Sequence, residues 1–272
     1  MLIPVDGRER SVRSLDIGCR IAGMFESHVV GLFVKPTTYI PSAVRAEGVE
    51  KTLIELQERV NGQAAREARA RFDSVVKPAT MQRAEWRIAE GSRAEVVAMH
   101  ARYSDLLVVN QTDADSHDAT HFADAVLLTV GRPVLLVPYV GELRSFGQNI
   151  LVCWNASREA SRAVTDALPL LQRAANVTVL TVNGQPTTYG HGESAGSDIA
   201  LYLARHGVKT VASQTVSGSV DVGSVILSRA FDLSADLIVM GAYGHSRVRE
   251  IVLGGATRTL LQSMTVPVLM SH

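Results

Sequence analysis

The chain has 272 residues, near the upper limit for one hydrophobic core and ample for two domains of about 135 residues each. Hydrophobic residues make up 46% and charged residues 20%, the composition of a core-forming globular protein. Lys+Arg and Asp+Glu both number 27, and a formal net charge of zero argues against a nucleic-acid binder, which ordinarily carries a basic excess.

Taken in order, the chain alternates short apolar runs with helical patterns. The opening MLIPVDGRER leads straight into a strand, with no basic region followed by an apolar core. No apolar run approaches the roughly 20 residues that span a bilayer, so a cytoplasmic protein with no membrane partner is expected. Strands are expected at about 1–5, 28–34, 81–89, 105–110 and 133–138, with helices at 10–25, 46–76, 93–103 and 119–130 between them. The pattern then starts again. Strands are expected at 149–154, 177–182, 209–216, 236–240 and 266–270, and helices at 157–174, 194–206, 221–234 and 255–263. Runs such as VTVLTV and DLIVM suit strands covered on both faces, and alternation with helices implies a parallel sheet with right-handed crossovers.

The two halves align. DLLVVNQT at 105–112 matches DLIVMGAY at 236–243, RPVLLVPYV at 132–140 matches VPVLMSH at 266–272, and Asp6 falls where Asn155 falls. The expectation is two tandem α/β domains, 1–141 and 149–272, joined by the polar, glycine-bearing GELRSFGQ at 141–148. The free cysteines Cys19 and Cys153 form neither a disulfide framework nor a metal cluster, and read as thiols of a reducing compartment.

The stretch GAYGHSRVREIVLGGATRTLL at 241–261 carries the most chemistry. Gly241 follows a strand directly, Gly244 comes three residues later, and Gly254 and Gly255 precede a helix. Ligands of open parallel sheets bind beyond the carboxyl ends of the strands, and free N–H groups at a helix start favour an anion. The two glycine clusters would therefore flank one phosphate chain, or they form no more than a strand exit and a helix entry. The spacing is neither the dinucleotide G-x-G-x-x-G nor the P-loop pattern.

With G-x2-G-x9-G intact, small residues after it, a VPVL strand and an opening strand of the form LIPVDG, the sequence resembles the universal stress protein family in its tandem form. The resemblance implies two doubly wound domains, each a five-stranded parallel sheet flanked by helices, of the Rossmann-like adenine nucleotide alpha-hydrolase type. It also implies antiparallel pairing of the last strands within one chain, here VLLVP at 134–138 with VPVLM at 266–270, an intrachain pseudo-dimer that leaves room for a homodimer. It implies a stress-response regulator whose second domain binds ATP, or AMP or ADP, with magnesium as companion ion.

Carried over residue by residue, the implied site comprises Asn155, Val182, Met240, Gly241, Gly244, His245, Gly254, Gly255, Ala256 and Thr257. Asn155 replaces the family's acidic residue, and its amide can hydrogen-bond a ribose or base without a charge. Val182 supplies backbone to adenine. Gly255 replaces a hydroxyl residue, and Thr257 two positions on is its stand-in. In the first half Asn110 and Asp113 replace the first two glycines, and Asp113, Asp115 and Asp118 would repel phosphate, so that domain is expected to be degenerate. His117 and His121, four apart, are candidates for a metal site or an exposed polar loop. No G-x-S-x-G elbow, catalytic carboxylate pair or base is found, so the chain is expected to hydrolyse ATP slowly at most. The alternative is a scaffold of the same fold that binds partners and no nucleotide.

Overall fold

The computed structural model describes residues 1–37, 50–76, 83–111, 117–141, 143–184, 196–243 and 255–272, with the side chains of 117–121 left aside. The described residues form ten strands and eight helices in two compact units, Met1–Asn110 and Gln111–His272. None of the described helices is long and apolar enough to cross a membrane.

The first unit runs β1 (Leu2–Pro4), α1 (Ser11–Phe25), β2 (Val29–Lys35), α2 (Glu50–Val75), β3 (Ala84–Glu90), α3 (Arg93–Ala101) and β4 (Leu107–Asn110). Its strands lie in the order β3-β2-β1-β4, all parallel. Leu2, Ile3, Leu107 and Val108 are wholly buried, as expected of strands covered on both faces. Helix α1 turns Leu15, Ile17 and Ile21 inward. The last turns of α2 press Ala68 and Phe72 onto β2 and β3, where the Phe72 and Trp86 rings sit 5.3 Å apart. Gly31 makes that packing fit. A Cβ there would stand 2.6 Å from the Phe72 ring and 2.9 Å from Trp86.

The second unit runs α4 (His117–Thr129), β5 (Val134–Val137), β6 (Asn149–Cys153), α5 (Arg158–Leu171), β7 (Asn176–Val182), α6 (Ser197–Arg205), β8 (Thr210–Thr215), α7 (Val222–Asp232), β9 (Leu237–Gly241), α8 (Gly255–Ser263) and β10 (Val268–Ser271). Strand order is β5-β10-β9-β6-β7-β8. All pairs given for this sheet are parallel except β5 with β10, which run antiparallel with Leu136 opposite Val268 and Val134 opposite Met270. This is the strand pairing that the resemblance implied for 134–138 and 266–270.

The compact second unit takes in α4 and β5, which the repeat alignment counts with the first half. Gln111 shows why. Only 2% exposed, it donates from Nε2 to the carbonyls of Leu261 and Gln262 at 3.0 and 3.1 Å and accepts from the Tyr139 N–H at 3.2 Å. The strand after it is therefore tied to α8 and β10.

Strand β6 starts under a clamp. The buried Asp236 carboxylate accepts the Gln148 and Asn149 N–H groups, each at 3.0 Å from Oδ1. From β6 the chain steps to β7 and β8 on one side, while β9 and β10 return on the other. The carboxyl ends of β6 and β9 thus flank a topological switch point, where doubly wound sheets place ligands.

Replacing Gly31 with alanine is expected to lower stability by about 1–3 kcal/mol, because the Phe72–Trp86 pair must give way to a methyl group. Urea unfolding followed by tryptophan fluorescence checks this.

Candidate functional site

Strands β6 and β9 end at the switch point with β7 beside them, and each of the three turns out of the sheet through a non-glycine residue in the left-handed region. Ala156 follows β6 with φ 58°, Asn183 follows β7 with φ 56°, and Tyr243 follows β9 with φ 61°. L-residues adopt this conformation reluctantly, and such residues gather where the surrounding structure holds a loop to one shape.

After β6, Asn155 is exposed and its Oδ1 accepts the Ser157 N–H at 3.2 Å, closing an Asx turn. Ser157 then caps α5, accepting the Ala160 N–H at 3.1 Å. Glu159 in that first turn is almost fully buried and pairs with Arg158 at 3.0 Å. Burial pushes its carboxyl up, but its own amide, the Arg158 and Ser157 side chains and the Arg158 charge outweigh this and hold it below the usual carboxylate range. After β7, Val182 is half-buried, paired with Thr215 in register. Next to it Asn183 clamps the β7 and β8 exits together, donating to the Ser217 hydroxyl at 2.8 Å and accepting the Ser217 N–H at 2.9 Å.

At β9, Met240 is buried, and Gly241 has a packing reason to be glycine. A Cβ on it would lie 2.5 Å from the Ala160 nitrogen and 2.5 Å from the Glu159 carbonyl carbon. The first turn of α5 rests directly on the end of this strand. Ala242 is fully buried and donates to Ser271 at 2.9 Å. Tyr243 donates its hydroxyl to Asp124 at 2.7 Å, sets its ring edge-on to His272 at 6.1 Å, and donates its N–H to the Thr257 hydroxyl at 3.4 Å.

That last contact joins the strand exit to the first turn of α8. Thr257, expected to stand in for a hydroxyl at 255, is 4% exposed and turned toward Tyr243. Ala256 is half-buried and Gly255 exposed. Asp221 sits against this helix start. It caps α7 through the Ser224 N–H at 3.1 Å, accepts the Thr259 hydroxyl at 2.8 Å, and places Oδ1 3.3 Å from where a Gly255 Cβ would be. The structure therefore brings together Asn155, Met240, Gly241, Gly255, Ala256 and Thr257 around one sheet edge, with Val182 at the neighbouring strand end. Gly244, His245 and Gly254 lie outside the described residues, as do the side chains of His117 and His121. Among the described residues no group of three or more side chains is arranged to hold a metal ion.

In the first unit the equivalent edge is engaged within the chain. The Asp6 carboxylate accepts the Ser11 hydroxyl at 2.6 Å and the Arg8 N–H at 3.1 Å, with Arg93 at 3.7 Å and Arg10 at 3.9 Å. Burial lowers the Arg93 pKa; Asp6 pulls it back up, and Arg10 and Arg8 push it down.

Residues 147–272 match the sequence model of the universal stress protein family. That segment therefore carries the sequence pattern of the universal stress protein family. A 38-residue stretch is 47% identical to a universal stress protein of Synechocystis sp., covering 14% of this chain and 13% of that one. The match thus spans about an eighth of that relative. In three dimensions the chain resembles a universal stress protein from Archaeoglobus fulgidus, with a TM-score of 0.69 at 16% identity over 99% of this chain and 97% of that one. It also resembles a functionally unknown protein from Pseudomonas aeruginosa, with a TM-score of 0.57 at 14% identity over 99% and 92%. At these identities the likeness establishes the fold alone, and it extends across nearly the whole length of the chain.

Asn183, Tyr243, Asp124 and Asp221 were not singled out by motif. Asn183 opens an Asn-Gly pair, a turn-forming dipeptide, whereas Tyr243 and Asp124 are 119 residues apart and meet only in the fold.

A Gly241→Ala substitution is expected to destabilise the protein by about 2–3 kcal/mol, since the methyl group overlaps helix backbone that cannot rotate away. Differential scanning calorimetry against Gly23→Ala, where a Cβ meets nothing within 4 Å, provides the control. Cys153 closes β6, and burial pushes its thiol up to about 12. It is expected to remain unalkylated by iodoacetamide at pH 8 in the folded protein and to react on unfolding, as read by mass spectrometry.

Proposed function

We propose that the second unit is a regulatory adenine-nucleotide site, with ATP its principal ligand, in a cytoplasmic stress-response protein. The observation that carries this reading is the meeting of the β9 exit with the first turn of α8 through Tyr243 and Thr257, at the switch point of the sheet. Three left-handed residues at the surrounding strand ends support it. In this reading the domains are 1–141, degenerate, and 149–272, binding. Asn155 and the Val182 backbone meet the ribose and base. Met240, Gly241, Gly244 and His245 line one side of the phosphates, and Gly254, Gly255, Ala256 and Thr257 the other, where helix N–H groups attract an anion. Magnesium, if bound with the nucleotide, would offset phosphate charge, and Asp221 is the carboxylate at the start of α8 that could face it. No residue is assigned a catalytic role, and turnover is slow or absent.

A second reading, a nucleotide-free scaffold of the same fold, is favoured by two observations. Asp221 puts a carboxylate at the helix start where a phosphate would dock, and the Asn155 acceptor is already committed to its own loop.

Titration calorimetry and thermal-shift measurement with ATP and AMP, with and without magnesium, separate the two. Binding is expected for the wild type and is expected to be abolished by Gly244→Glu. Asp221→Asn keeps the α7 cap and removes the charge, so it is expected to tighten magnesium-free ATP severalfold. No heat and no shift at millimolar nucleotide would leave only the scaffold.

A further inference from the structure

Helix α3 leads from β3 to β4 and helix α7 from β8 to β9, yet the two sit differently on their sheets. In the first unit α3 packs on β1, β2 and β3, whereas in the second unit α7 packs against α8. Gly223 permits that closeness, since a Cβ there would stand 2.5 Å from the Thr259 Cβ on α8. Drawn to that side, α7 leaves part of the sheet uncovered. A groove of about 480 Å³ opens there, over the amino ends of β6, β7 and β8. Its volume lies within the range of small-molecule clefts.

Strand register divides the groove into an apolar and a polar row. Side chains alternate between sheet faces, so residues level with one another share a face, as do residues two apart. Leu151, Thr178 and Val211 are level on β6, β7 and β8 and form the apolar row. Val211 is 67% exposed, a branched side chain left in the open. Leu233 and Ala235, on either side of the left-handed Ser234, close the inner end beside β6. Two residues nearer the strand starts, Asn149 and Asn176 are level and joined by a 2.8 Å hydrogen bond. Lys209, just ahead of β8, continues this polar row at the outer end.

Charge and shape select the ligand. Among the described residues that line the groove none is acidic, and Lys209 is the one cation. The ion pairs Arg158–Glu159, Arg162–Asp166 and Arg229–Asp232 of the same unit leave Lys209 out. Those lining residues include no aromatic ring on which a flat base would stack. The apolar row spans two interstrand spacings, about 10 Å, with a cation at its open end. Such a trough is complementary to one unbranched chain that ends in one negative charge.

We propose that this groove binds a medium-chain acyl carboxylate, its carboxylate at Lys209 and its tail laid across β8, β7 and β6 toward Leu233. The site lies at the opposite ends of the strands from the nucleotide site and does not depend on it.

Titration calorimetry on the full chain with butyrate, hexanoate, octanoate and decanoate, each below its micelle threshold, tests this. Each added methylene is expected to tighten binding about two- to fourfold until the tail reaches the inner end. Lys209→Gln is expected to weaken decanoate about two- to fivefold, as loss of an exposed ion pair does. Val211→Asp, at an exposed position, is expected to weaken it more than tenfold and to leave the melting temperature of the ligand-free protein unchanged. Location is read separately on the wild type, with a decanoate carrying a diazirine at its tail. Mass spectrometry is expected to find the label within 149–151 or 233–235. No binding at millimolar decanoate, affinity indifferent to chain length, a Val211→Asp variant that binds like the wild type, or label confined to other segments would each overturn the proposal.

Discussion

The second unit depends on a place where one side chain is absent. Because Gly241 has no Cβ, the first turn of α5 settles onto the end of β9 at backbone contact. Helix α5 is the crossover from β6 to β7, so its seat fixes where the β6 exit can run. The Asn155 turn, the left-handed Ala156 and the Ser157 cap all follow from that position. Burial of Glu159 in the same turn follows too, since a carboxylate at a helix start is stabilised by the amides and dipole behind it. A glycine needed for packing thus also draws two loops to one edge of the sheet.

The edge has a mixed electrostatic character. Amide groups at the start of α8 favour an anion, but Asp221 stands beside them while holding α7 in place. Thr259 on α8 binds the same carboxylate, so the two helices are joined through it. The carboxylate therefore has a structural duty that does not depend on any ligand. The first unit resolves the same geometry differently. There Asp6 is surrounded by Ser11, Arg8, Arg10 and Arg93, and the charge at the strand end is met within the chain.

Much of this was legible beforehand because it rests on short-range pattern. Apolar runs marked the strands, the helical pattern from 157 marked α5, and the alignment of 105–112 with 236–243 marked the duplication. Reading Gly241 as a glycine at a strand exit was sound, but its packing partners Ala160 and Glu159, 81 and 82 residues earlier in the chain, have no local signature. The same applies to Asp221 beside Gly255 and to Tyr243 on Asp124. Each pair is made by strand order, which brings together segments far apart in sequence. The extent of the second compact unit was hidden for a related reason. The repeat groups α4 and β5 by ancestry, whereas Gln111 and the β5–β10 ladder group them by contact.

That ladder bears on any attempt to isolate the later repeat. A fragment beginning at Asn149 would contain every strand aligned with a complete repeat, yet it would leave the outer side of β10 with bare amides and carbonyls. Leu269 and Met270, buried in the whole chain, would lie at that raw margin. Such a fragment would recruit a foreign strand or clump with its own kind, so the smallest well-behaved piece starts upstream of β5.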